Sequence, residues 1–124
     1  FHVAEEGGFW ITFPDLPECM TQGDSMQEAY EMAVDALGLA LTSREQEKQD
    51  IPAASEVNQI PVGKDEYCVI IEFDMLAYKK RTNSKAVKKT LSIPEWLNEE
   101  AMSLGINFSQ VLQEALMQKI GVNL

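Results

Sequence analysis

Five carboxylates in the first third of the chain, Asp15, Asp24, Glu28, Glu31 and Asp35, are the residues best placed by type to do chemistry. A two-metal nuclease needs three or four carboxylates converging on one point, one of them typically inside the first strand. The two stretches that read as strands here, Phe1–Ala4 and Phe9–Phe13, contain no acid. Asp15 lies in a turn, Asp24 at a helix start, and Glu28, Glu31 and Asp35 along a helix face. Turn and cap roles account for the first two without a metal. His2 is the sole histidine, which removes histidine-based metal sites and Ser/His/Asp hydrolysis. Cys19 and Cys68 are too few for a disulfide scaffold and too far apart for a zinc knuckle, and read as small buried hydrophobes in a reduced compartment. We therefore expect no enzyme, no metal and no cofactor.

The charges are unevenly spread. The chain has 124 residues and a net charge of −10, which taken whole speaks against binding phosphates. Residues 1–76 hold sixteen acids and three bases, whereas residues 77–124 hold four acids and seven bases. Six of those bases fall between Lys79 and Lys89, with no acid among them. Apolar residues make up 45% of the chain and charged ones 24%, a soluble globular composition. No apolar run approaches the roughly 18–20 residues that cross a bilayer, so no membrane is expected. There is no signal-peptide pattern, and a start at Phe1 rather than methionine leaves room for a few residues in front.

Phe9–Phe13 is aromatic and β-branched, entered through Gly7-Gly8, and pairs in expectation with Phe1–Ala4 as a hairpin. Pro14-Asp15-Leu16-Pro17 should turn the chain, with a short extended stretch at Cys19–Gln22. Ser25 and Glu28 form a capping box. The helix it opens carries Met26, Ala29, Tyr30, Ala33, Val34, Leu37 and Leu41 on one stripe and should run to about Glu47. Residues 50–64 read as loop and Glu66–Phe73 as a strand. Residues 74–85 read as a short helix or linker. Val87, Leu91 and Ile93 alternate with Lys88, Thr90 and Ser92, strand periodicity with one polar face; Lys89 breaks the pattern. Pro94 and Glu95 suit the first turn of a helix that closes at Gly105, and Asn107 caps another that closes at Gly121. A strand and two helices in under forty residues cannot enclose a core, so this part demands a partner, most simply its own copy.

The stretch Lys89-Thr90-Leu91-Ser92-Ile93-Pro94-Glu95-Trp96-Leu97, followed by Gly105-Ile106-Asn107-Phe108-Ser109, resembles a ribbon-helix-helix DNA-binding domain. The stretch from Glu6 to Pro17, with Thr21–Ser25, Glu28-Ala29, Ala33, Ala36 and Leu37, resembles the HicB antitoxins. Glu18-Cys19 departs from the family's usual glycine before a cysteine or similar residue. The implied fold class is α+β: a small N-terminal β-sheet packed on one long helix (partial RNase H-like), followed by a dimeric ribbon-helix-helix (β-α-α) domain. The implied domains are 1–75 for toxin binding, a basic linker at 76–85, and 86–124 for DNA binding and dimerisation.

That resemblance implies an antitoxin that silences a small basic HicA-like mRNA-cleaving ribonuclease toxin and represses its own operon in the bacterial cytoplasm, at the nucleoid when DNA-bound. The acidic surface, with Trp10, Asp15, Asp24, Glu28, Glu31 and Asp35, would face the toxin, although solubility alone explains many acidic surfaces. Lys88, Thr90 and Ser92 would read bases of operator double-stranded DNA, or else form the solvated face of an edge strand. Asn107, Phe108 and Ser109 would offer helix-start N–H groups to phosphate, with Lys85 beside them; an ordinary N-cap is the plainer alternative. Lys79, Lys80 and Arg81 are phosphate-directed or a solvated linker. Leu91, Ile93, Trp96, Leu97, Leu112 and Leu116 would form the core of a homodimer, with pairing of dimers into a tetramer left open. The competing readings are a solitary ribbon-helix-helix regulator whose N-terminal domain oligomerises or senses a ligand, and an RNase H-like enzyme.

Overall fold

A computed structural model describes residues 1–122. The chain divides into two compact units, Phe1–Lys85 and a second from Ala86 onward.

In the first unit, β1 (His2–Val3), β2 (Phe9–Phe13) and β3 (Leu16–Gly23) form an antiparallel sheet in the order β1-β2-β3. Gly7 and Gly8 make the first turn with φ of 97° and 77°. A Cβ at Gly8 would stand 2.5 Å from the carbonyl oxygen of Gly23, so the turn admits only glycine there. Helix α1 (Met26–Gln46) starts where Ser25 Oγ accepts the Glu28 N–H. The reciprocal bond of the capping box comes from the Asp24 N–H to Glu28 Oε1, one residue earlier than the standard pattern. Ala29 and Ala33 are fully buried against Ile11 and Phe1, which sets the core between sheet and helix. Only small residues permit this approach; a Cβ on Gly23 would lie 2.4 Å from the Ala29 nitrogen. A single 3-10 turn (Val57–Gln59) follows, then α2 (Met75–Thr82), capped by Asp74 Oδ1. The Tyr78 ring of α2 lies against Gly38 of α1, where any Cβ would collide with it.

Three local expectations change. The turn is Pro14-Asp15 alone: Phe13 pairs with Leu16, and Pro17 lies inside β3. The register shifts between Thr12 and Phe13 at the sheet's edge, so an absent N–H at Pro17 costs no ladder bond. The expected strand Glu66–Phe73 reduces to a bridge, His2 to Glu66, because β1 offers only two residues to pair with. Tyr67 still exchanges backbone hydrogen bonds with Phe1; beyond it the chain stays unpaired, with Val69, Ile71 and Phe73 half-buried and Cys68, Ile70 and Glu72 exposed. Cys68 is thus on the surface; of the two thiols only Cys19 is buried.

The second unit contains α3 (Glu95–Ser103) and α4 (Phe108–Ile120). Asn107 Oδ1 accepts the Gln110 N–H, and Gly105 and Gly121 close the two helices at φ of 68° and 78°. Val87–Ile93, expected as a strand, is irregular and exposed throughout. A strand forms by pairing, and among the described residues nothing pairs with this one. No described residue of this unit is buried.

Candidate functional site

On β2, Ile11 points into the core, so Trp10 and Thr12 point to the opposite, open face of the sheet. There the His2 and Trp10 rings stack, centroids 3.6 Å apart and planes 11° from parallel. His2 Nε2 lies 2.9 Å from Thr12 Oγ1, and its Nδ1 lies 2.7 Å from Glu66 Oε2. Both ring nitrogens are thereby occupied, and the imidazole braces the sheet's open face. Met20 and Gln22, cross-strand neighbours of Thr12 and Trp10, extend this face, with Met20 largely exposed.

Glu28, Glu31 and Asp35 lie exposed on α1, on the far side of the layer from Trp10. The fold therefore does not bring the expected aromatic and acidic positions into one patch. Glu31 accepts from Gln27 Nε2 at 3.3 Å, and Asp35 from Arg81 at 2.7 Å. Lys79 pairs with Glu45 at 2.8 Å, and the Arg81 guanidinium stands 5.6 Å from the centre of the Tyr78 ring. Two of the basic residues expected to face phosphate or solvent thus bind α1 instead. Divided at Ala86, sixteen acids and seven bases precede the boundary, and four acids and three bases follow it. The first unit is strongly acidic; the second is close to neutral, its positive charge confined to Lys88, Lys89 and Lys119.

Asp15 is a clasp. Its carboxylate accepts the Ser55 N–H at 2.9 Å and the Ser55 hydroxyl, fastening residues 50–64 to the β2–β3 turn. These bonds hold its pKa below the usual carboxylate range. Glu18, the departure from the family pattern, takes Arg44 in a bidentate pair at 2.6 and 3.0 Å, and Arg44 also donates to the Asp50 carbonyl. That pairing lowers the Glu18 pKa and raises that of Arg44. Sequence reasoning missed the roles of Glu18, Arg44 and Ser55, since no local pattern joins residues 26 or 40 positions apart. Burial pushes the Cys19 thiol up to about 11. Among the described residues, no group of three or more His, Cys, Asp or Glu could hold a metal ion, and no helix is long and apolar enough to cross a membrane.

In the second unit, Lys88, Thr90 and Ser92 are exposed on the irregular lead-in to α3, with Lys85 just ahead of it. Asn107 is spent as the cap of α4, and Phe108 and Ser109 form its first turn. Leu91, Ile93, Trp96, Leu97, Leu112 and Leu116 are all exposed, Trp96 by 66%.

Residues 2–73 match the family model described as the HicB-like antitoxin of bacterial toxin–antitoxin systems. The chain belongs to this family. It is a family of antitoxins, not of enzymes. Antitoxin HicB 1 of Photorhabdus laumondii is 47% identical over 56 residues, 45% of this chain and 36% of that protein. Antitoxin HicB of Escherichia coli K12 is 42% identical over 55 residues, 44% of this chain and 40% of its own. The matched stretch thus spans well under half the length of either relative. A chain of a toxin–antitoxin complex from Streptococcus pneumoniae superposes with a TM-score of 0.53 at 23% identity, covering 96% of this chain and 94% of that one, a likeness of fold. The family match covers both the open sheet face and the acidic side of α1, and stops before α2.

Proposed function

We propose that the chain neutralises a small basic HicA-like mRNA-cleaving ribonuclease and represses its own operon, as HicB-like antitoxins are expected to do. The observation that carries the first half is the family match over nearly the whole acidic unit. A ribonuclease must be positive where it holds RNA, and a strongly acidic unit is steered onto that surface and covers it. Trp10, Asp15, Asp24, Glu28, Glu31 and Asp35 are the residues proposed to face the toxin. Because Trp10 and the α1 acids lie on opposite sides of the layer, a single toxin surface engages one side or the other. Co-expression of this chain with a HicA-like toxin should rescue growth, and the association rate should fall as salt is added. A rate insensitive to salt would reject the electrostatic part.

For the second half, the support is that no described residue of the second unit is buried. Leu91, Ile93, Trp96, Leu97, Leu112 and Leu116 would be buried between two copies, Val87–Ile93 pairing antiparallel with its mate as a ribbon. That ribbon would carry Lys88, Thr90 and Ser92 into the major groove, with the start of α4 at Asn107–Ser109 and Lys85 on the backbone. The domains proposed are 1–75 for the toxin, 76–85 as the connecting segment and 86–124 for DNA. The assembly proposed is a homodimer, alone or as half of a tetramer, in the bacterial cytoplasm. An operator-shift titration with duplex from the gene's own upstream region checks this half.

A further inference from the structure

Helix α1 carries a second ridge besides the stripe that covers the sheet. Glu28, Glu31, Asp35, Gly38, Thr42 and Glu45 follow one another at steps of three and four, so they share one face. The two halves of this ridge are treated differently. At its start Glu28 and Glu31 are exposed, their carboxylates taking only the neighbouring Asp24 N–H and Gln27 amide, each at 3.3 Å. From Asp35 onward α2 lies upon it. Arg81 Nη2 donates to Asp35 Oδ1 at 2.7 Å, and Lys79 Nζ donates to Glu45 Oε1 at 2.8 Å. Near these pairs the Tyr78 ring fills the notch that Gly38 leaves by having no side chain.

The hold of α2 on this ridge is slight. It has eight residues, fewer than a free helix needs to persist, and no described residue of it is buried. The Arg81 and Asp35 side chains are 57% and 53% exposed, and those of Lys79 and Glu45 are 37% and 50% exposed. Exposed ion pairs of this kind hold weakly and yield to salt or to a competing cation. What α2 lays on α1 is an aromatic ring with two cations beside it. A protein surface that holds RNA offers the same chemistry, cations for the phosphates and aromatic rings for the bases. The helix also begins just beyond the family match, which ends at residue 73.

We propose that α2 is a displaceable strap, an internal competitor that regulates the toxin-facing site on α1. The inference rests on the neutralisation reading above and takes its α1 side. A basic toxin meets the open carboxylates of Glu28 and Glu31 first, then replaces Arg81 at Asp35 and Lys79 at Glu45. The strap lowers the apparent affinity of every partner by the fraction of time that the ridge is uncovered. It thereby selects: a weakly basic protein is refused the second half of the ridge, and a strongly basic one takes it. Once lifted from α1, the eight-residue helix has nothing to pack on and melts.

The test measures binding of the whole chain to an inactivated HicA-like ribonuclease. Lys79→Ala with Arg81→Ala removes the competitor and should tighten binding roughly three- to tenfold. Asp35→Lys with Glu45→Lys breaks the same two ion pairs from the other side and should weaken binding roughly tenfold or more, since the ridge then repels the toxin. Opposite signs are the mark of competition, because pairs that merely brace the fold would make both variants act alike. In the unsubstituted complex, amide exchange at Tyr78 and Asn83, whose N–H groups bond within α2 to the Asp74 and Lys79 carbonyls, should quicken roughly tenfold or more. Binding that both variants weaken or leave unchanged would overturn the strap while neutralisation stands. So would α2 amides that exchange no faster in the complex. An unsubstituted chain that fails to bind the ribonuclease at all would overturn the neutralisation reading, and the strap with it.

Discussion

Both units of the chain carry many apolar residues, and they treat them in opposite ways. In the first, Ile11, Ala29 and Ala33 are at most 2% exposed, and the pairs Glu18–Arg44, Lys79–Glu45 and Arg81–Asp35 tie helices and strands together around them. In the second, Asn107 caps α4 and glycines close both helices, yet none of the described apolar side chains is buried. Local signals suffice to make a helix; they do not suffice to make a core. The second unit has too few residues to bury its own stripe, and under the proposed dimer its folding and its association would be one event.

Substitutions in either unit can break this contrast. Leu116→Asp should have the largest effect, abolishing association and operator binding while leaving the first unit's unfolding transition in place; sedimentation with chemical denaturation reads both. Retention of a dimer by that variant would show that the second unit associates through some other face. Ile11→Ala attacks the opposite unit and should cost about 2–5 kcal/mol in urea unfolding, with association of the second unit untouched.

Smaller effects refine the division of labour. Lys88→Ala and Thr90→Ala should each weaken operator binding by about 1–3 kcal/mol for every base interaction removed and relax sequence preference, with neutralisation unchanged. A doubly substituted protein that represses normally would refute the ribbon. The Asp15 and Glu18 carboxyls have pKa values held below their ordinary range, so their stabilisation is present above the unfolded-state values of about 4 and is lost as pH falls through the lower folded-state values. The first unit's thermal midpoint should therefore drop on acidification below about pH 4, and Ser55→Ala or Arg44→Ala should flatten that drop. The smallest effect is chemical: at about pH 8 a thiol reagent should modify Cys68 and spare Cys19, whose thiol is buried and pushed up to about 11.

Much of the fold was legible because it is written in short-range chemistry. The Gly7-Gly8 turn, the Ser25 cap, the Asn107 cap and the glycine stops at Gly105 and Gly121 each depend on residues within a few positions. The acidic character of the first unit was equally plain. Less legible was anything set by a distant partner. Glu66–Phe73 read as a strand, but whether such a segment becomes one depends on what lies beside it. The same holds for Val87–Ile93. Lys79 and Arg81 read as solvated or phosphate-directed cations until α2 laid them against Glu45 and Asp35.

From the sequence alone come the helix starts and stops, the acidic balance of residues 1–76, and the family to which residues 2–73 belong. Propensity, capping and net charge are properties of neighbours along the chain, so they survive without a fold. It took tertiary packing to make Asp15 clasp Ser55, to bring Arg44 to Glu18, and to turn Trp10 and the α1 acids opposite ways. Those are outcomes of packing a helix on one side of a sheet, which places residues far apart in sequence in contact and sends neighbours to opposite faces.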